Sequence, residues 1–168
     1  MLPPLEESRY AFTVPPLVEG VPAARERVAV RAGRLGLSLS EELIYDLKLL
    51  TGELVANSVT HTKAACVVCV RWTGERLRVE VTDVDPIAAA PSQASSMDEH
   101  GRGLVLVATL ATEWGSEPCT AGKKTWFELA VQDFAGGTAA ASLSHSDVTA
   151  EESAPIADAR VRIAHQAA

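Results

Sequence analysis

The sequence predicts an α/β domain on three observations. Leu43, Leu47, Leu50 and Leu54 recur at helical spacing within a run that extends from Ser40 to about His61. Residues 65–72 and 76–82 read as two strands joined by a tight turn at Gly74. The second alternates Leu77, Val79 and Val81 with Arg78, Glu80 and Thr82, as an antiparallel strand with one wet face should. The composition is 47% hydrophobic with only 5% aromatic residues, so the interior must be built from Val, Leu and Ala rather than large rings. A chain of 168 residues fits one domain with room for a sizeable core. Residues 8–134 are expected to form it, between a loose arm at 1–7 and a Gly-, Ala- and Ser-rich tail at 135–168 that is expected to be disordered.

In chain order, residues 9–14 read as a short strand with Tyr10 and Phe12 on one side, ended by Pro15 and Pro16. From Val18 to about Leu35, the residues Val21, Ala24, Val28, Ala32 and Leu35 keep helical spacing, and Gly36 is a natural stop. Arg25, Arg27, Arg31 and Arg34 occupy its other positions and are expected to be a solvated face. Ser40, followed by Glu41 and Glu42, is an N-cap with acids in the first turn of the long helix. After the strand pair, residues 83–100 contain two prolines and four Ser or Gln residues without periodicity, which predicts a functional loop. Gly101-Arg102-Gly103-Leu104 then reads as a Gly-rich turn opening a helix to about Thr112. Glu113-Trp114-Gly115 starts another strand and residues 125–131 form the last, with Gly122, Lys123 and Lys124 expected in the turn between them.

A formal net charge of −7 disfavours nonspecific attraction to nucleic acid or an anionic membrane, so a phosphate ligand must be held locally. No apolar run approaches membrane-span length, and the first residues have neither the basic start nor the apolar core of a signal peptide; a cytoplasmic location is expected. Cys66 and Cys69 form a C-x-x-C inside a strand, where their offset sends them to opposite faces. With only Cys119 left to complete a site, reduced structural thiols are expected rather than zinc.

Chemistry concentrates in residues 51–62, where Glu53, Asn57 and His61 lie four apart on a helix. Glu53 and Asn57 project to the edge of the leucine stripe and His61 closer to its middle. A carboxylate can act as general base, and an amide oxygen can ligate a hard cation such as Mg²⁺. Taken alone, such a pair is more often a solvated edge. Gly101 and Gly103 could cradle a phosphate on exposed N–H groups, or be a hinge. Asp83, at a strand end, could accept a hydrogen bond from an exocyclic amine, or simply form an Asx turn.

Taken together and in order, Glu53-Leu-Val-Ala-Asn57-Ser-Val-Thr-His61, Asp83-x-Asp85-Pro86 and Gly101-x-Gly103-Leu104 resemble the N, G1 and G2 boxes of the ATPase superfamily shared by gyrase, histidine kinases and MutL. Within it the chain is similar to the small anti-sigma-factor serine kinases and their actinobacterial relatives. Those tend to have a Trp-Gly after the G2 helix and a Gly-Lys-Thr-x-Trp-Phe-Glu-Leu-like last strand, echoed here by Trp114-Gly115 and by Gly122 to Leu129. The resemblance covers roughly residues 8–131. It implies a Bergerat-type two-layer α/β sandwich, a mixed and mostly antiparallel sheet with helices on one face.

The same resemblance implies ATP and Mg²⁺ as cofactors, a catalytic role for Glu53 toward the attacking hydroxyl, Mg²⁺ ligation by Asn57, and recognition of the adenine amino group by Asp83. Gly101, Gly103 and the Arg102 backbone would face the phosphates, with Leu104 and Thr125 among the nucleotide contacts. Residues 86–100 would form an ATP lid, and Arg102 would be the cation nearest a γ-phosphate, opposed by Asp98 and Glu99. Asp85 stands where the family commonly has glycine, and the lid is poor in basic residues. His61 matches a family position and is expected to pack or cap. The function implied is a serine/threonine kinase that phosphorylates an anti-sigma-factor antagonist and sequesters a sigma factor. The alternative is a non-catalytic, nucleotide-gated binding module. A homodimer through the first strand and helix is expected by the same analogy, with no direct contact to nucleic acid or membrane.

Overall fold

The computed structural model describes residues 10–87 and 99–132. The expected arm at 1–7, most of the expected lid and the tail at 135–168 lie outside the described residues. The longest element is helix α2 (Glu41–Thr62). Ser40 adopts extended backbone and its hydroxyl accepts the Leu43 N–H at 3.1 Å, while Glu41 and Glu42 occupy the positive end of the helix dipole. The helix ends at Lys63, whose left-handed backbone (φ 54°) returns its N–H to the Val59 carbonyl. Leu47, Leu50, Leu54, Val55 and Val59 are buried, as the spacing requires. His61 is exposed, contrary to its expected place near the middle of the stripe.

Strands β1 (Ala11–Val14), β2 (Cys66–Trp72), β3 (Arg76–Asp83), β4 (Glu113–Cys119) and β5 (Gly122–Ala130) form one sheet in the order β1-β2-β3-β5-β4. Every described pairing is antiparallel. Helix α1 (Val21–Gly33), preceded by a 3-10 turn at Val18–Gly20, packs with α2 and α3 (Glu99–Leu110) on one face of this sheet. Alternation in β3 decides which face: Leu77, Val79 and Val81 are buried with Val28, Leu50, Val68, Val107 and Phe127 in a single core.

The other face has no helix layer among the described residues and is covered by its own charges. Arg78 lies 3.8 Å above the Trp126 ring and binds Glu80 at 2.8 Å and Glu128 at 3.0 Å, while Arg71 and Lys124 also reach Glu80. Gly115 is opposite Trp126 in register, and a Cβ there would come within 2.8 Å of the indole; glycine makes room for the ring to lie flat. Burial pushes the Glu80 carboxyl up, but the Arg71 hydrogen bond and the charges of Lys124, Arg71 and Arg78 outweigh it and hold the group below its usual range.

Several sequence expectations change here. Arg27 and Arg31 lie over the Phe12 ring at 4.2 and 4.6 Å, and reach the Thr13 and Ala11 carbonyls at 3.5 Å, while the Arg25 guanidinium packs onto Gly52. These guanidinium groups fasten α1 to β1 and α2 instead of forming a solvated face, because a planar cation with an apolar stem can cover an aromatic ring; of the four, only Arg34 is exposed. Lys123 and Lys124 belong to β5, and the turn before it is Thr120-Ala121. Cys66 faces the core and Cys69 the outer face, as their offset requires, and burial pushes both thiols up. No group of three or more potential metal ligands occurs among the described residues, nor does any helix long and apolar enough to cross a membrane.

Candidate functional site

The site begins where β3 runs out. Asp83 is the last residue of that strand, faces the helices and is only 4% exposed. Its partner in register on β5 is Lys123. Gly122 makes this juxtaposition possible: its backbone has φ 147°, and a Cβ there would collide with the Asp83 carbonyl and the Val84 backbone. The Lys123 ammonium, itself buried, lies 3.2 Å from Asp83 Oδ1 and 3.0 Å from Asp85 Oδ2. The Asp85 N–H donates to Asp83 Oδ1 at 3.0 Å, an Asx turn, and the Ile87 N–H donates to Asp85 Oδ1 at 3.0 Å. The Ile87 N–H first, then the Lys123 hydrogen bond, hold the Asp85 carboxyl below its usual range; the charge of His61, across the loop on α2, acts in the same direction. Among the described residues, the Asp85 N–H hydrogen bond and the Lys123 ion pair both fall on Asp83 Oδ1, which leaves Oδ2 as the acceptor for a ligand.

Two residues further along β5, Thr125 is buried beneath the helices and shares a 3.1 Å hydrogen bond with the Ser116 hydroxyl of β4. On the helix side, Ser58 follows Asn57 on α2 and is 4% exposed, and its hydroxyl has no hydrogen-bond partner among the described residues. The Cys66 thiol lies near enough to feel that hydroxyl, and the Asp83 charge as well, without satisfying Ser58. Cys66 therefore ties the base of α2 to the end of β3. A buried hydroxyl without a partner calls for an ordered water or a polar ligand group.

Glu53 and Asn57 face α3. A Cβ on Gly103 would come within 2.5 Å of Glu53 Oε2 and 3.4 Å of Asn57 Nδ2, so glycine here leaves the Glu53 carboxylate its place against α3. Gly101 and Gly103 both lie inside α3; the expected Gly-rich turn is itself helical. A glycine in a helix costs about 1 kcal/mol relative to alanine, and the close approach at Gly103 explains why it is tolerated. Arg102 is exposed, while the Leu104 side chain is buried in the core.

The arrangement thus offers a strand-end carboxylate on β3 and, on α2, a carboxylate and an amide against a glycine-bearing helix. The sequence model of one family, described as the histidine kinase-like ATPase domain, matches residues 14–128, more than half of the chain. The chain belongs to this family. No curated protein matches it. For a histidine kinase-like ATPase domain, the residues present fit the ligand: a hydroxyl without a partner among the described residues and an open carboxylate oxygen suit a purine amine, and the Glu53 carboxylate and Asn57 amide oxygen beside Gly103 suit the divalent cation that accompanies a triphosphate. Membership supports ATP binding by a regulatory ATPase or kinase-like domain.

Two residues of the site escaped the sequence reading. Ser58 was hidden because nothing in a helical pattern says which buried hydroxyl lacks a partner. Lys123 reads as a turn residue beside Gly122, yet a signal for its place exists: Thr125, Phe127 and Leu129 alternate, and carrying that period back by two puts Lys123 on the inner face.

Proposed function

We propose that this histidine kinase-like ATPase domain is an ATP- and Mg²⁺-dependent serine/threonine kinase of the anti-sigma-factor type, which phosphorylates an antagonist protein and holds a sigma factor in its alternative complex. The observation that carries the reading is the approach of Gly103 to Glu53 and Asn57, which leaves a carboxylate and an amide together beside the N-terminal part of α3. In this reading Asp83 Oδ2 accepts from the adenine amine, and Thr125 lies below the base. Asn57 holds Mg²⁺, which on binding would neutralise phosphate charge. Gly101 and Arg102, in the first turn of α3, face the phosphates, Gly101 through backbone and Arg102 also through its charge, while Gly103 and Leu104 hold that turn in place, Gly103 by its closeness to Glu53 and Leu104 from the core. Glu53 orients or deprotonates the serine or threonine hydroxyl of the antagonist. Phosphoryl transfer asks the protein mainly for such positioning and charge neutralisation.

The test is a phosphorylation assay with labelled ATP and candidate antagonists. Glu53→Ala is expected to slow transfer by about 10²- to 10⁴-fold, the usual worth of a general base. Transfer by the variant at the wild-type rate would sink the kinase reading. A second reading, a nucleotide-gated binding module without chemistry, is favoured by the extra carboxylate of Asp85 at the base end of the site. It requires that Asn57→Ala abolish nucleotide-dependent partner binding while no form of the protein transfers phosphate.

A further inference from the structure

Lys123 has no role in the reading above, yet it is the most deeply placed cation of the site. Its ammonium is enclosed with side-chain exposure of only 9%, at 3.2 Å from Asp83 Oδ1 and 3.0 Å from Asp85 Oδ2. A buried ammonium is costly unless its partners compensate it, and here two carboxylates do. Without it, Asp83 and Asp85 would confront each other two residues apart in a tight turn, with their like charges repelling. With it, one net negative charge remains at the base end.

The effect on Asp83 is directional. The Asp85 N–H and the Lys123 ammonium both engage Oδ1, so the carboxylate is fixed in one orientation with Oδ2 as its remaining acceptor. Gly122 secures the ammonium in turn, since its close approach to the Asp83–Val84 backbone sets the register that puts Lys123 across from Asp83. Asp85 is therefore a built part of the site: it supplies the N–H that holds Asp83 and the second carboxylate that holds Lys123.

We propose that Lys123 is a positioning residue for base recognition: paired with Asp85, it orients Asp83 so that Oδ2 accepts from the exocyclic amine of an adenine nucleotide. The inference rests on the nucleotide reading of the site. It makes Lys123 act through Asp83 on a single functional group of the ligand, so its loss must show as lost discrimination and not merely lost affinity.

The experiment compares binding of ATP with binding of purine riboside 5′-triphosphate, which lacks only the 6-amino group, to the full chain by calorimetry. Wild type is expected to prefer ATP by roughly 10- to 100-fold, the worth of a hydrogen bond to a charged group. Lys123→Met is expected to bring the ratio to within about twofold of unity, as Asp83→Asn should. The double variant Asp85→Asn/Lys123→Met loses one carboxylate together with the ammonium, and carries the same measurement should the single variant fail to fold; its ratio is also expected to collapse. If the ratio survives at the wild-type value in whichever variant folds, with affinity for both nucleotides unchanged or reduced alike, Lys123 is a structural ion pair and the inference is overturned. Wild-type protein that binds ATP without preferring it would remove Asp83 from base recognition and Lys123 with it. Wild-type protein that binds neither nucleotide overturns the nucleotide reading itself.

Discussion

A methyl group at position 103 would reach the Glu53 carboxylate at 2.5 Å, and the carboxylate, being the flexible partner, is what would move. Gly103→Ala is therefore expected to leave the fold intact and to misplace Glu53, the general base of the proposed kinase. A displacement of about 1 Å costs on the order of 10²-fold in rate, so single-turnover phosphate transfer should fall by that much while ATP affinity changes less. Transfer at the wild-type rate would mean that Glu53 has no positional role. The same scale shows what a sequence can and cannot reveal. Glu53, Asn57 and Asp83 stand out in the sequence because each lies in a short segment of fixed spacing, and their roles are proposals. Lys123 and Ser58 do not stand out, since what singles them out is a contact across strands and the absence of a partner among the described residues.

Elements were legible where local periodicity and capping agree. Ser40 and the leucine stripe define α2, and its cap is worth about 1 kcal/mol, so Ser40→Ala should lower unfolding free energy by that amount in a urea titration. An unchanged midpoint and slope would show that the cap hydrogen bond contributes nothing. The arginines of α1 misled because their partners are the ring of Phe12 and the backbone of Gly52, which come from other elements. On the outer face of the sheet, Glu80 is held below its ordinary value of 4.5 in the folded chain. Its folded pKa is depressed, so the stabilisation is complete above the unfolded value and fades as pH falls through the folded one. Glu80→Gln should therefore be less stable than wild type at neutral pH, and its stability should decline less steeply below about pH 4.5. Acid unfolding curves of identical slope would assign the effect to other groups.

The order of strands belongs to the whole molecule and was not legible. β5 inserts between β3 and β4, and this non-local pairing is what carries Lys123 and Thr125 to the end of β3. The α/β class was legible, because the alternation of apolar and polar residues on β3 and one apolar stripe on α2 admit few other solutions. Leu50, fully enclosed at 0% exposure, joins those two layers, and Leu50→Ala should cost about 2–5 kcal/mol by thermal or chemical unfolding. A loss below about 1 kcal/mol would contradict the placement of the core. The family match ends at residue 128 and β5 at Ala130. Removing residues 135–168 should accordingly leave ATP affinity unchanged; a large loss would mean that the tail completes the site.

The central claim is an adenine-nucleotide site closed at one end by Asp83 and at the other by Glu53 and Asn57. Calorimetric titration of ATP, ADP and GTP, with and without Mg²⁺, against wild type and Asp83→Asn, tests it most directly. The expected result is binding of ATP and ADP, with GTP weaker by roughly tenfold or more and the preference lost in Asp83→Asn. No binding at millimolar nucleotide, or binding indifferent to Asp83→Asn, would contradict it.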